Sequence, residues 1–112
     1  MSDATPKQIL EEEIPRRISA KPELLKKINA VVVFEITGPN GGKWTLDATK
    51  PSGWITAGVE GVTPKMTLTA SDADFVAVAT KKLNANMAAM SGKLKFKPFD
   101  MNLALKLGEL IG

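Results

Sequence analysis

In "MTLTASDADFVAVATKK", Met66 to Lys82, the hydrophobic period of the chain changes. After Pro64, Met66 and Leu68 alternate with Thr67 and Thr69, the period of two expected of a half-buried strand. From Ser71 the pattern is helical. Ser71 with Asp74 three residues later has the spacing of a capping box, acidic Asp72 and Asp74 fall in the first turn, and Lys81 and Lys82 fall in the last, where cations complement the helix dipole. A strand that passes directly into a well-signalled helix predicts a fold in which both kinds of element share one core.

Before this junction the chain reads mainly as strands. "AVVVFEITG" is rich in β-branched residues and ends at the turn cluster "GPNGG"; "KWTLDATK" alternates Trp44 and Leu46 with Thr45 and Asp47. "PSG" turns the chain into "WITAGVEG", so the first four strands are expected to form an antiparallel meander or a close relative of one. In the first strand Val31 and Val33 are as apolar as Val32 and Phe34, which leaves its inward face open. The N-terminal "TPKQILEEEIPRRISAKPELLKKINA" reads as two short helices, one carrying Ile9, Leu10 and Ile14 until Pro15 interrupts it, the other led by Pro22 into Leu24, Leu25 and Ile28. After the junction come a short helix in "NANMAAM", a strand in "KLKFK", and a last helix in "MNLALKLGELIG". Its apolar residues occupy nearly every side, more than the single stripe a surface helix needs. The expected class is α+β, in one domain over residues 1–112, a normal size for a single core.

Composition excludes much chemistry. The chain has no Cys, His or Tyr, which removes thiol and imidazole nucleophiles and the soft ligands of zinc, copper and iron–sulfur sites. No metal and no cofactor is expected. Apolar residues make up 44% and charged residues 24% of the chain, as in ordinary globular proteins. No apolar run has the length of a signal peptide or a membrane span, so a cytoplasmic protein is expected, and its expected state is a monomer. The net charge of +3 is dispersed among acidic residues.

Among candidate sites, Asp72 and Asp74 are explained by capping, and Glu35 and Asp47 stand beside no nucleophile or base. A small hydrolase therefore lacks its machinery, and the chain is expected not to be an enzyme. "GPNGGK" lacks the spacing of a phosphate-binding loop and reads as a hairpin turn. Lys93, Lys95 and Lys97 alternate along one strand; they suit an open strand face, or transient contact with an anionic membrane surface. With few aromatics to stack bases, no nucleic-acid partner is expected. Met66, Met87, Met90 and Met101 are flexible thioethers of the kind that fill irregular cores and also line pockets accepting several ligand shapes.

Taken in order, "LLKKINAVVVFEIT", "KWTLDATKPSG", "MTLTASDADF", "KLNANMAAMSGKLKFK" and "MNLALKLGEL" resemble the sterol carrier protein 2 (SCP2) family from about Ile9 to Ile111. The resemblance implies a five-stranded, mainly antiparallel sheet with about five helices packed chiefly on one face, enclosing an apolar tunnel. It also implies non-catalytic binding, with transfer, of fatty acids, fatty acyl-CoA, sterols or phospholipids. Where the family often carries Pro-x-x-Ala and two bulky aromatics after Lys-Leu-Asn, this chain has Ala85 and then Ala88, Ala89 and Met90, which either widens the expected cavity or lets the methionines fill it, and "KPFDM" departs from the usual Gly-Asn turn. The chain ends "LIG" rather than in a peroxisomal Ser-Lys-Leu type of tripeptide.

A tunnel would also explain the last helix, whose apolar residues would then face protein on one side and ligand on another. Strand alternation and helix spacing select as lining Val32, Phe34, Ile36, Trp44, Leu46, Met66, Leu68, Phe75, Ala79, Met87, Met90, Leu94, Phe96, Met101 and Leu105, with plain core packing the alternative for each. The competing reading is an accessory or protein-interaction domain of the same fold with a filled cavity and the terminal helix as partner surface.

Overall fold

A computed structural model describes residues 5–49, 53–58, 61, 63–97 and 101–111. Strands β1 (Val31–Thr37), β2 (Gly42–Asp47), β3 (Ile55–Ala57), β4 (Met66–Ser71) and β5 (Lys95–Lys97) form one sheet in the order β3-β2-β1-β4-β5. β2 pairs antiparallel with β1 and β3, and β5 with β4, but β4 runs parallel to β1. The meander therefore stops at β3. Once β2 holds one edge of β1, β4 takes the other, and the chain returns across the sheet before β4 begins.

The register settles which face of β1 is inward. Trp44, Phe34, Leu68 and Phe96 fall in one row across the sheet, with Leu46, Val32 and Met66 in the next. These side chains belong to the apolar core. Val33 is buried too, on the opposite face, where the register sets it between Thr45 and Thr67.

Helices pack on the Phe34 face. The first begins at α1 (Pro6–Gln8), where Thr5 and Gln8 form a reciprocal capping box. It continues through a π-helical turn, Ile9–Glu13, into α2 (Ile14–Ala20). Pro15 does not end it, contrary to the sequence expectation. A proline inside an α-helix clashes with the carbonyl four residues earlier; here the preceding turn is widened, the Ile14 N–H donating to Ile9 O, and the proline is accommodated.

Next come α3 (Glu23–Ile28), α4 (Asp72–Ala79), α5 (Ala85–Met90) and α6 (Met101–Ile111). Pro22 caps α3 from outside rather than opening its first turn. Ser71 Oγ accepts from Asp74 N at 3.1 Å, as its spacing predicts. The α4 helix stops at Ala79, so Lys81 and Lys82 lie beyond its last turn, not in it. Asp72 also reaches the β1–β2 hairpin, accepting from Asn40 N at 3.1 Å. Parts of the expected turn "PSG", of "WITAGVEG" and of "KPFDM" lie outside the described residues.

Arg17 ties the helices together. Its Nη2 donates to Ala79 O at 2.9 Å, and its Nη1 to Leu110 O at 3.1 Å and to Ile111 O, so one guanidinium serves carbonyls at the ends of α4 and α6. Glu13 lies 3.6 Å from its Nε. Helix C-termini leave such carbonyls without intrahelical donors.

Candidate functional site

A cavity of about 350 Å³ lies where α5, α6 and β5 meet. Leu68 and Phe96 form its sheet side, Val78 comes from α4, Leu94 precedes β5, and Ala85, Asn86, Ala89 and Met90 come from α5. Met101, Ala104, Leu105, Gly108 and Ile111 of α6 complete it. Only Asn86 in this lining has a polar side chain. The volume is that of a small-molecule site.

Small side chains of the two helices line the cavity. Ala85 and Ala89, four apart on α5, share a face, as do Ala104 and Gly108 on α6. A Cβ placed on Gly108 would sit 3.5 Å from Cβ of Ala85. The rim is unusual in another way: among described residues, the exposed large hydrophobics are Met87, Met90, Met101 and Leu105, all on α5 and α6. Met90 is 87% exposed and Met87 66%. The all-round apolarity of α6 is thereby divided, with Leu103, Leu107, Leu110 and Ile111 buried and Met101 and Leu105 exposed at the cavity.

Of the lining selected from sequence, Leu68, Met90, Leu94, Phe96, Met101 and Leu105 surround this cavity. Val32, Phe34, Ile36, Trp44, Leu46, Met66, Phe75 and Ala79 lie in the packed core instead. There Phe34 and Phe75 meet edge to face, centroids 6.0 Å apart, and Trp44 Nε1 donates to Glu11 Oε2 at 2.8 Å. Met87 faces solvent and is not part of the lining. Val78, Ala85, Asn86, Ala89, Ala104, Gly108 and Ile111 were not anticipated. The repeated four-residue spacing of small side chains was the signal available for four of them.

A second, polar cavity of about 560 Å³ adjoins the first and shares Val78, Ala85, Asn86, Leu105 and Gly108 with it. Its further lining is Lys81, Leu83, Asn84 and Glu109. Glu109 lies 3.7 Å from Lys27 Nζ. Among the described residues no group of His, Cys, Asp and Glu could hold a metal ion, and no helix is long and apolar enough to cross a membrane.

A model of the SCP-2 sterol transfer family matches residues 10–112. A peroxisomal multifunctional enzyme A from Dictyostelium discoideum is 45% identical over 100 residues, covering 88% of this chain but 22% of that protein, so the chain spans about a fifth of this relative's length. The solution structure of sterol carrier protein domain 2 of Helicoverpa armigera has a TM-score of 0.71 at 31% identity, covering 98% of this chain and 91% of that one. A palmitated SCP2L2 from Aedes aegypti has a TM-score of 0.75 at 28% identity, covering 96% and 95%. The five-stranded, mainly antiparallel sheet and its helices therefore follow the fold of these two structures.

Proposed function

This chain belongs to the SCP-2 sterol transfer family, and we propose on that premise that residues 1–112 form one monomeric domain that binds and transfers lipid without catalysis. The observation that carries the reading is the apolar cavity between α5, α6 and β5, open at a rim of exposed thioethers. Burying an acyl chain of about fourteen methylenes yields roughly 11 kcal/mol gross, at about 0.8 kcal/mol each. Association costs several kcal/mol of that, leaving affinity in the micromolar to submicromolar range. No bond need form or break, because removal of the chain from water supplies the driving force. Fatty acids come first among the ligand classes, since a similar structure is palmitated; acyl-CoA, sterols and phospholipids follow.

The rim suits loading from a bilayer. Met87 and Met90 project from α5, and Lys93, Lys95 and Lys97 follow in a stretch that has no carboxylate between Asp74 and Asp100. Exposed apolar side chains suit a bilayer surface and the lysines suit its anionic lipids, Lys95 and Lys97 reaching it from the edge strand β5, where they flank the cavity-lining Phe96 and lie on the other face of the sheet. Met87 separates the two activities because it is exposed without lining the cavity. Met87→Ser is expected to weaken binding to phosphatidylserine-containing vesicles about fivefold, with palmitate affinity measured by calorimetry unchanged. Equal loss of both, or of neither, counts against this docking mode.

The accessory-domain reading needs a filled cavity and draws no support from the open one. Native mass spectrometry of the purified protein decides between them: a released adduct identified as a lipid supports carriage, and a bare protein that also takes up no added lipid supports the accessory role. The reading places the protein in the cytoplasm; fractionation of cells making the full-length product, with peroxisomal markers alongside, tests it.

A further inference from the structure

Where Gly108 of α6 passes Ala85 of α5, the apolar cavity gives way to the polar one, with five residues common to both walls. We propose that this polar chamber holds the ionised carboxylate of the bound lipid, with Lys81 as its counter-charge; the proposal rests on the lipid-binding reading above and narrows the preferred cargo to single-chain lipids with an anionic head.

Three observations converge on Lys81. It lines the polar chamber and makes no ion pair with another described residue. The carboxylate on the same wall, Glu109, is accompanied by Lys27 at 3.7 Å, and the nearby Arg17 is engaged with Glu13 and with the ends of α4 and α6. Lys81 is thus the cation of that wall left to meet an anion.

Its backbone is also unusual. Lys81 has φ +66°, the left-handed region, at the turn where Lys82 N and Leu83 N both donate to Ala77 O. Glycine normally takes this place after a helix, and a residue with a Cβ is strained there. Complementing the α4 dipole does not require the strain, since Lys82 stands next to it without a positive φ.

Asn84 and Asn86 supply the neutral donors. The Asn84 Oδ1 accepts from Asn86 N at 2.8 Å and Met87 N at 3.2 Å, which leaves its amide N–H groups to donate elsewhere. Asn86 lines both cavities and so stands where a tail would end and a head begin.

Affinities of the full chain for palmitate and for the alcohol of the same chain length test the proposal. The wild-type protein is expected to prefer palmitate about fivefold, the scale of an exposed, charge-assisted contact. Lys81→Gln should bring that ratio to near one, and Lys82→Gln should not move it. Lys81→Gly serves as the second variant, because its backbone suits the turn: it should also lose the ratio while melting no lower than wild type. Equal affinities in the wild type, or a ratio that survives both Lys81 changes, would overturn the headgroup chamber while leaving lipid binding intact. Binding of neither ligand would overturn both readings.

Discussion

One face of one sheet is treated in two ways. Over β1 and β2 it is covered by large side chains: Leu10, Ile14, Ile18, Phe34, Leu46 and Phe75 are fully buried. At the β5 side it is covered by helices that turn Ala85, Ala89, Ala104 and Gly108 to the cavity, and space remains. The first region has the close packing of a protein interior. The second keeps apolar walls apart, with no large side chain to fill the gap. On the lipid-carriage proposal, stability and carriage fall to different ends of the same core, and substitutions should separate them.

Phe75→Ala offers the sharpest test. Removing the ring from the packed end, where it meets Phe34, should cost about 3–5 kcal/mol of unfolding free energy, read from denaturant titration. A loss below about 1 kcal/mol would mean that this end is not the sealed one. Arg17→Ala comes next. It leaves carbonyls at the ends of α4 and α6 without their charged donor and should cost about 1.5–3 kcal/mol, together with faster amide exchange in the last turn of α6. If exchange quickens elsewhere but not there, the guanidinium is not what holds α6 down.

Ala89→Phe probes the open end and should change stability by less than about 1 kcal/mol, because the ring enters existing space rather than a filled core. Palmitate affinity should fall at least about tenfold as the cavity closes. A variant that melts much lower but still binds would show that the two ends are not separable.

The difference between the ends also tracks what was legible beforehand. Elements defined over a few neighbouring residues were readable: the Ser71 cap, the β1–β2 hairpin, α5 and α6. Pro15 reads as a helix end from sequence because the relief for its clash lies in the hydrogen-bonding of the turn before it, which no propensity scale contains. The parallel placement of β4 is not legible either, since pairing depends on which edge of β1 is still free. Within the site, alternation marked Leu68, Leu94 and Phe96 as inward, and it marked Val32, Phe34 and Met66 equally. Period alone gives the side of a sheet, not the place along it.

By itself the sequence determined the α+β class, the absence of thiol and imidazole chemistry, the apolar character of α6 and the family resemblance, because composition, period and capping are local properties. Tertiary structure decided that α5 and α6 approach through Ala85 and Gly108, that exposed methionines stand on those two helices, and that Lys81 lines the same polar cavity as Asn86, the latter shared with the apolar one. Those facts depend on how elements distant in sequence settle against one another, and a cavity is made by the distance between such elements.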